Sequence, residues 1–205
     1  MGKGIGIACI ILGAICLLGA IGFVVYNQWE ADGAEQVSNS LLAEVQLAMD
    51  QEAAPSQEEV LIPEVVEAGS TPEEMATVKA DGYDCIGILS VPVLELELPV
   101  LADWSYTKLR KAPCHYFGTY YEKDFVIAAH NYKSHFGRLS ELQAGDMVVF
   151  TDVNGTAYYY EVVLLETLPK EATQEMIASG FDLSLYTCTP GGGSRVTVRC
   201  NRMEI

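Results

Sequence analysis

Cys188 closes the stretch "DLSLYTC" and Arg195 opens "RVTVRC", with "TPGGGS" between them. Both stretches alternate in polarity, so they read as two strands of a hairpin. Leu183 and Leu185 share one face, which leaves Cys188 on the other with Ser184 and Tyr186. On the second strand Val196, Val198 and Cys200 oppose Arg195, Thr197 and Arg199. Cys200 therefore reads as a small core residue. Cys188 does not; it stands at a strand end with an arginine across the loop. A thiol attacks a carbonyl as the thiolate, a histidine handles the proton, and a cation or donor holds the oxyanion that develops. The chain has three histidines, His115, His130 and His135. His130 ends the apolar run "FVIAAH", a rigid mount at a buried strand's tip. His115 and His135 lie in "PCHYFG" and "KSHFGR", loop-like and flanked by aromatics. Spacing favours His130 and leaves a purely structural role open.

Other short strands must position these groups. "CIGILSVPVLELELPVL" contains the alternation Leu94-Glu95-Leu96-Glu97-Leu98, the pattern of a strand with one wet face. "MVVFTDVNGTAYYYEVVLLETL" reads as a hairpin turning at Asn154-Gly155. A helix is expected over "GRLSELQAG", stopping at Gly145. Many short strands and one or two helices over residues 82–205 predict a mainly β domain, a closed or nearly closed barrel.

Ahead of that domain, Gly4 to Gln28 carries no charge. Ile5 to Tyr26 would span roughly 33 Å as a helix, against a hydrocarbon core of about 30 Å. Tyr26 and Trp29 sit where interfacial aromatics belong, and Lys3 precedes the segment while Glu30 and Asp32 follow it. These features predict a single-pass anchor over residues 1–28 with a cytoplasmic N-terminus and everything else outside. A cleaved leader would want a shorter apolar core, although "AIG" at Ala20 to Gly22 has a cleavage site's small-x-small form. Cys9 and Cys16 read as apolar packing residues rather than lipidation sites.

The net charge of -16 disfavours nucleic acid as a partner. Most of it belongs to one segment: from Glu30 to Asp81 thirteen acids face a single base, Lys79. Residues 29–81 therefore read as an acidic extracellular linker. Val37, Leu41, Leu42, Val45, Leu47 and Met49 suggest a short amphipathic helix within it. The proline-bearing remainder lacks the apolar content to fold alone and is read as an inert spacer, with "VLIPEVVE" its one apolar patch.

Taken together, these residues resemble the sortases, membrane-anchored cysteine transpeptidases of mainly Gram-positive bacteria. The resemblance rests on "YTC" at Tyr186 to Cys188, a loop, then "SRVTV" with its arginine, and "AAHNY" with its histidine, in that family's order. "GILSVPVLELELPVL" is similar to its first barrel strands and "FGRLSELQAGDMVVFTD" to its helix-then-strand segment. The likeness covers about residues 82–202. It implies an eight-stranded sortase-type β-barrel, with Cys188 as nucleophile, His130 as general acid/base and Arg195 as oxyanion stabiliser. Thr187, before the nucleophile, would line the substrate site. Arg199 has the same facing as Arg195 but lies about 13 Å further along the strand at roughly 3.3 Å per residue, so Arg195 is preferred.

The resemblance further implies cleavage of an LPXTG-like C-terminal sorting signal on exported proteins through a thioester. An amine of a cell-wall precursor then takes up the acyl group, all at the cell membrane. No second apolar segment near Ile205 and a short Pro169 to Asp182 segment point to a class A-like or class D-like enzyme. No cofactor is expected; some relatives bind calcium, but no acidic cluster here matches such a site. The rival readings are a module stapled by disulfides among Cys85, Cys114, Cys188 and Cys200, and a catalytically inactive scaffold.

Overall fold

The computed structural model describes residues 2–53 and 74–204, with side chains described over 6–51 and 74–204. Nine strands form one sheet: β1 (Val78–Ala80), β2 (Tyr83–Val91), β3 (Leu96–Leu101), β4 (Cys114–Phe117), β5 (Phe125–Ala128), β6 (Met147–Asp152), β7 (Ala157–Pro169), β8 (Leu183–Cys188) and β9 (Ser194–Arg202). Their order is β1-β2-β3-β4-β5-β8-β9-β7-β6, and β6 also pairs with β2. The eight strands from β2 onward thus close into a barrel, and β1 adds a short outer strand to β2. The sheet thereby takes in residues that the sequence reading leaves in the linker.

Closure depends on Gly87. A Cβ there would stand 2.1 Å from the Thr151 carbonyl oxygen on β6, so a side chain would force the seam apart. Pairings are antiparallel except β3–β4 and β5–β8. The parallel β5–β8 pair needs a long crossover, and the β6–β7 hairpin occupies it. That hairpin turns at Asn154-Gly155 as expected: Gly155 sits at φ 84, and Asp152 Oδ1 accepts from the backbone N–H of Asn154 and Thr156. Leu89, Phe125, Ile127, Phe150, Leu185 and Val198 are fully buried inside the barrel.

Two local expectations change. Leu94 is not in a strand: Pro92–Leu94 form a 3-10 turn and Glu95 is left-handed at φ 53, so β3 starts at Leu96. The facing was nonetheless legible, because Leu94, Leu96 and Leu98 are all buried. "GRLSELQAG" holds only a 3-10 turn, Leu139–Glu141. Other bonds capture the rest of that segment: Gln143 N–H donates locally to Asp146 Oδ2 at 2.7 Å and Gly145 N–H to the Val162 carbonyl on β7 at 2.8 Å. The helices of the domain are the short α2 (Tyr106–Leu109) and α3 (Thr173–Ile177).

The larger revision concerns the linker. One helix, α1 (Gly2–Ala53), runs through the apolar segment and onward. It is bare from Gly6 to Trp29, long and apolar enough there to cross a membrane, and it then lies down on the barrel. Ala34, Ser38, Leu41 and Val45, spaced at i, i+4, i+7 and i+11, are buried in one stripe. Leu41 and Val45 pack with Ala80, Cys85, Ile88, Leu101, Ala112 and Cys114. Leu47, assigned to the apolar face from sequence, is 59% exposed, while the small residues Ala34 and Ser38 are buried. From Glu30 to Met49 the segment is therefore a helix docked on the barrel, longer than the amphipathic helix expected over Val37 to Met49. "VLIPEVVE" lies outside the described residues.

Candidate active site

Cys188 and Arg195 are direct cross-strand partners at the loop end of the β8–β9 hairpin. Directly opposed residues of an antiparallel pair project on the same side with Cβ atoms about 5 Å apart. The intervening loop is pinned by Thr189 N–H donating to the Ser194 carbonyl at 3.0 Å and by Ser194 N–H donating to Thr189 Oγ1 at 3.1 Å. Gly191 and Gly192 take φ 85 and 73, conformations that side chains resist. Arg195 Nη1 donates to the carbonyls of Gly192 (3.3 Å) and Ser194 (3.2 Å), which turns the guanidinium toward the loop and leaves other N–H groups available.

His130 arrives on the neighbouring strand. β5 and β8 are parallel with Ala128 opposite Tyr186, and Ala129 N–H donates to the Tyr186 carbonyl at 3.1 Å. Thr187 Oγ1 donates to the Ala129 carbonyl at 2.8 Å, tying the two chains one residue short of the rim. His130 lies two residues beyond Ala128 as Cys188 lies two beyond Tyr186, so both stand at the same end of the β5–β8 pair. The neighbours of His130, Ala129 and Asn131, each line a hollow that Cys188 also lines, whereas the imidazole itself lines a different one.

Among the described residues no hydrogen bond joins the thiol to the imidazole. The His130 ring instead stacks on Tyr132, centroids 4.6 Å apart and planes 14° apart. It lines a hollow with Asn27, Glu30, Ala31, Arg110 and Tyr132. Burial and then the Arg110 guanidinium push its pKa below the ordinary imidazole value, while Glu30 and a hydrogen bond with the Asn131 side chain pull upward. The neutral imidazole is thus favoured at neutral pH.

Cys188 and Arg195 open onto a cleft of about 230 Å³. Its wall is aromatic: Trp104 lies 5.5 Å from both Tyr106 and Tyr116, and Tyr116 meets Tyr186 edge-on at 5.4 Å. Burial pushes the Tyr186 phenol pKa up, so that ring stays uncharged at neutral pH. A second hollow of about 160 Å³ lies on the far side of Cys188, between Thr187, Pro190, Asn131 and Phe136. A thiol and a cation in one aromatic-walled cleft, with an imidazole at the same end of the barrel, suit acyl transfer from an extended peptide.

Other candidates have structural occupations. Arg199 is 1% exposed; it donates to Glu166 Oε1 (2.8 Å), Ser184 Oγ (2.8 Å) and the Glu175 carbonyl (2.7 Å), so it ties α3 to the barrel. His115 lies in β4 rather than a loop, with its ring nitrogens 3.0 Å and 2.7 Å from the Ala102 and Gly118 carbonyls. His135 is fully buried with neither nitrogen bonded, and burial drives its pKa down to about 4. All six cysteines are free. Cys85, Cys114 and Cys200 are buried, with thiol pKa values pushed up to about 12 by desolvation, so no staple occupies Cys188.

Sequence reasoning missed Tyr132, Glu30 and Arg110. Tyr132 stands two residues after His130 in "AAHNY", a signal that was present. Glu30 and Arg110 carry none, because only folding brings them near.

A family model described as Sortase domain matches residues 89–203. Among solved structures the chain is similar to sortase C1 of Streptococcus suis, at 27% identity and a TM-score of 0.53 over 59% of this chain and 74% of that one. It is similar also to sortase C1 of Streptococcus agalactiae, at 25% identity and a TM-score of 0.54 over 61% of this chain and 70% of that one. A Clostridium perfringens sortase D5 transpeptidase shares the fold at 16% identity, with a TM-score of 0.57 over 84% of this chain and 99% of that one. No curated protein matches. With the family model covering more than half of its residues and the same barrel closed in the same way, the chain belongs to the sortase family of cysteine transpeptidases.

Proposed function

We propose that this protein cleaves an LPXTG-like C-terminal sorting signal on exported proteins and joins the new carboxyl end to an amine of the cell wall. The observation that carries the reading is the pairing of Cys188 with Arg195 beside the strand that delivers His130. The Cys188 thiolate attacks the scissile carbonyl carbon, and Arg195 N–H groups hold the oxyanion. As the C–N bond breaks, the His130 imidazolium gives its proton to the leaving amine, and a thioester remains. An incoming amine then attacks that carbonyl, His130 takes its proton, and the C–S bond breaks to restore the thiolate. Thr187 contributes by anchoring the end of β5 and lining the hollow beside the sulfur.

The N-terminus lies in the cytoplasm and the barrel outside the cell membrane in this reading, supported by the charges flanking the bare part of α1. The Pro169 to Asp182 segment carries only the five-residue α3, which supports a class A-like or class D-like enzyme over one with a long helical insertion there.

The test is incubation of the full chain in detergent with a panel of sorting-signal peptides, with and without an added amine, beside Cys188→Ala. Expected are cleavage, a longer product when amine is present, and a mass adduct on Cys188. Absence of cleavage across the panel, or cleavage that survives Cys188→Ala, would overturn the reading.

A further inference from the structure

The chain as a whole is strongly acidic, yet "DWSYTKLRKAP" between β3 and β4 gathers Lys108, Arg110 and Lys111, three of the chain's twelve lysines and arginines, within four positions. Trp104 and Tyr106 accompany them and are 39% and 77% exposed. Two acids face this cluster: Asp103 pairs with Lys108, and Glu30 lies 3.7 Å from Arg110. Lys133 lines the same hollow as Arg110 and adds a further positive charge. Exposed aromatics mixed with basic side chains are the composition of surfaces that lie in lipid headgroups.

Position supplies an independent argument. α1 is bare up to Trp29 and becomes half-buried against the domain at Glu30 and Ala31. If Tyr26 marks the edge of the hydrocarbon, Glu30 lies four residues, or about 6 Å, further out. The headgroup layer on each side of a bilayer is about 5–8 Å deep. Arg110 contacts Glu30 and Tyr132 bonds to it at 3.1 Å, so both lie at headgroup depth. The barrel cannot swing clear, because Leu41 and Val45 clamp the same helix to the sheet about three and four turns further on.

We propose that the segment from Trp104 to Lys111 docks on anionic lipid headgroups and holds the Cys188 cleft against the bilayer that α1 crosses. This rests on the reading of α1 as a membrane anchor. The docked face leads into the cleft, since Tyr106, Trp104, Tyr116 and Tyr186 form a continuous aromatic line from the exposed tip to the sulfur's side. A peptide still held in the membrane by its own C-terminal segment reaches such a cleft without leaving the surface.

The chain has two tryptophans, so Trp29→Phe leaves Trp104 as the sole reporter. The full chain carrying that change is placed in nanodiscs of phosphatidylcholine, with or without phosphatidylglycerol, containing lipids brominated near the headgroup. Expected is quenching of Trp104 that is stronger with phosphatidylglycerol and weaker in high salt. Lys111→Gln should lower the ratio of docked to undocked molecules about five-fold, the effect of about one surface charge. Equal quenching in both compositions, or quenching indifferent to salt, overturns the proposal. So does a Trp104 emission that responds to a sorting-signal peptide but not to lipid, which would make the segment a peptide-binding wall only. Alkaline extraction separates the two levels. A chain released into the soluble fraction overturns the anchor and the docking surface together; a retained chain with an unquenched Trp104 overturns the docking surface alone.

Discussion

Glu30 and Tyr132, separated by 102 residues, are joined by a 3.1 Å hydrogen bond in which the phenol donates to the carboxylate. Tyr132 in turn stacks on His130. The helix that leaves the apolar segment is thereby in contact with the surroundings of the general acid/base proposed above.

That contact sets the expected pH dependence. His130 faces Arg110 from the β3–β4 segment, Glu30 from α1, Asn131 and Tyr132 from its own loop and His135 from the following turn. Its pKa is depressed by burial and Arg110 and partly restored by Glu30. The protonated imidazole is therefore a minority that shrinks further as pH rises. Glu30→Gln removes a restoring charge, so the acidic limb of the kcat/KM profile is expected at lower pH, with a lower maximum. Arg110→Gln is expected to move the limb to higher pH and raise the maximum. Profiles of both variants that overlay the wild type would remove the link between α1 and His130.

The two arginines of β9 are expected to fail differently. Arg195→Ala should lower kcat/KM by about 10²–10³-fold with little change in stability, as for loss of an oxyanion donor. Arg199→Met breaks a buried network with Glu166 and Ser184 and should cost about 3 kcal/mol of stability, with turnover per folded molecule within a few-fold of wild type. Denaturant midpoints measured beside initial rates distinguish the two, and the reverse pattern would reassign the roles.

Thr187→Val removes the hydroxyl that donates to the Ala129 carbonyl one residue before His130. A loss of about 1–2 kcal/mol in stability is expected from the orphaned carbonyl. If Thr187 positions the end of β5, kcat should fall by up to about tenfold. A rise in KM at constant kcat would instead make it a substrate contact.

Acid lability is expected from His135. Its pKa is held at about 4 against an ordinary 6.5, so between those values the unfolded chain binds the proton and the folded one does not. The stabilisation is complete above about 6.5 and is lost as pH falls toward about 4, a difference of about 3 kcal/mol. His135→Leu should flatten that part of the stability profile, measured as Tm from pH 4 to 7 relative to wild type. An unchanged slope would move the acid sensitivity elsewhere.

Local pattern made much of this protein legible before folding was considered. Alternating polarity separated Cys188 and Arg195 from the apolar set of their strands, and an apolar run ending at His130 marked a buried strand tip. An Asn-Gly pair announced the hairpin of β6 and β7. These are short-range properties: the side-chain period of a strand and the turn its residues permit are decided within a few positions.

Tertiary structure decided what depended on distant partners. Arg199 and Arg195 have the same facing on one strand, and only α3 arriving with its carbonyls turned Arg199 into a buried tie. "GRLSELQAG" had a helix's pattern, but the bond from Gly145 to Val162 on β7 held its end out of one. The acidic segment after Trp29 read as tether because its charge was visible, whereas the sheet face that accepts Leu41 and Val45 is assembled from strands far along the chain. Glu30 came to lie beside Tyr132 for the same reason. Local sequence specifies which groups a segment offers, and the partners that use those groups exist only once the barrel has closed.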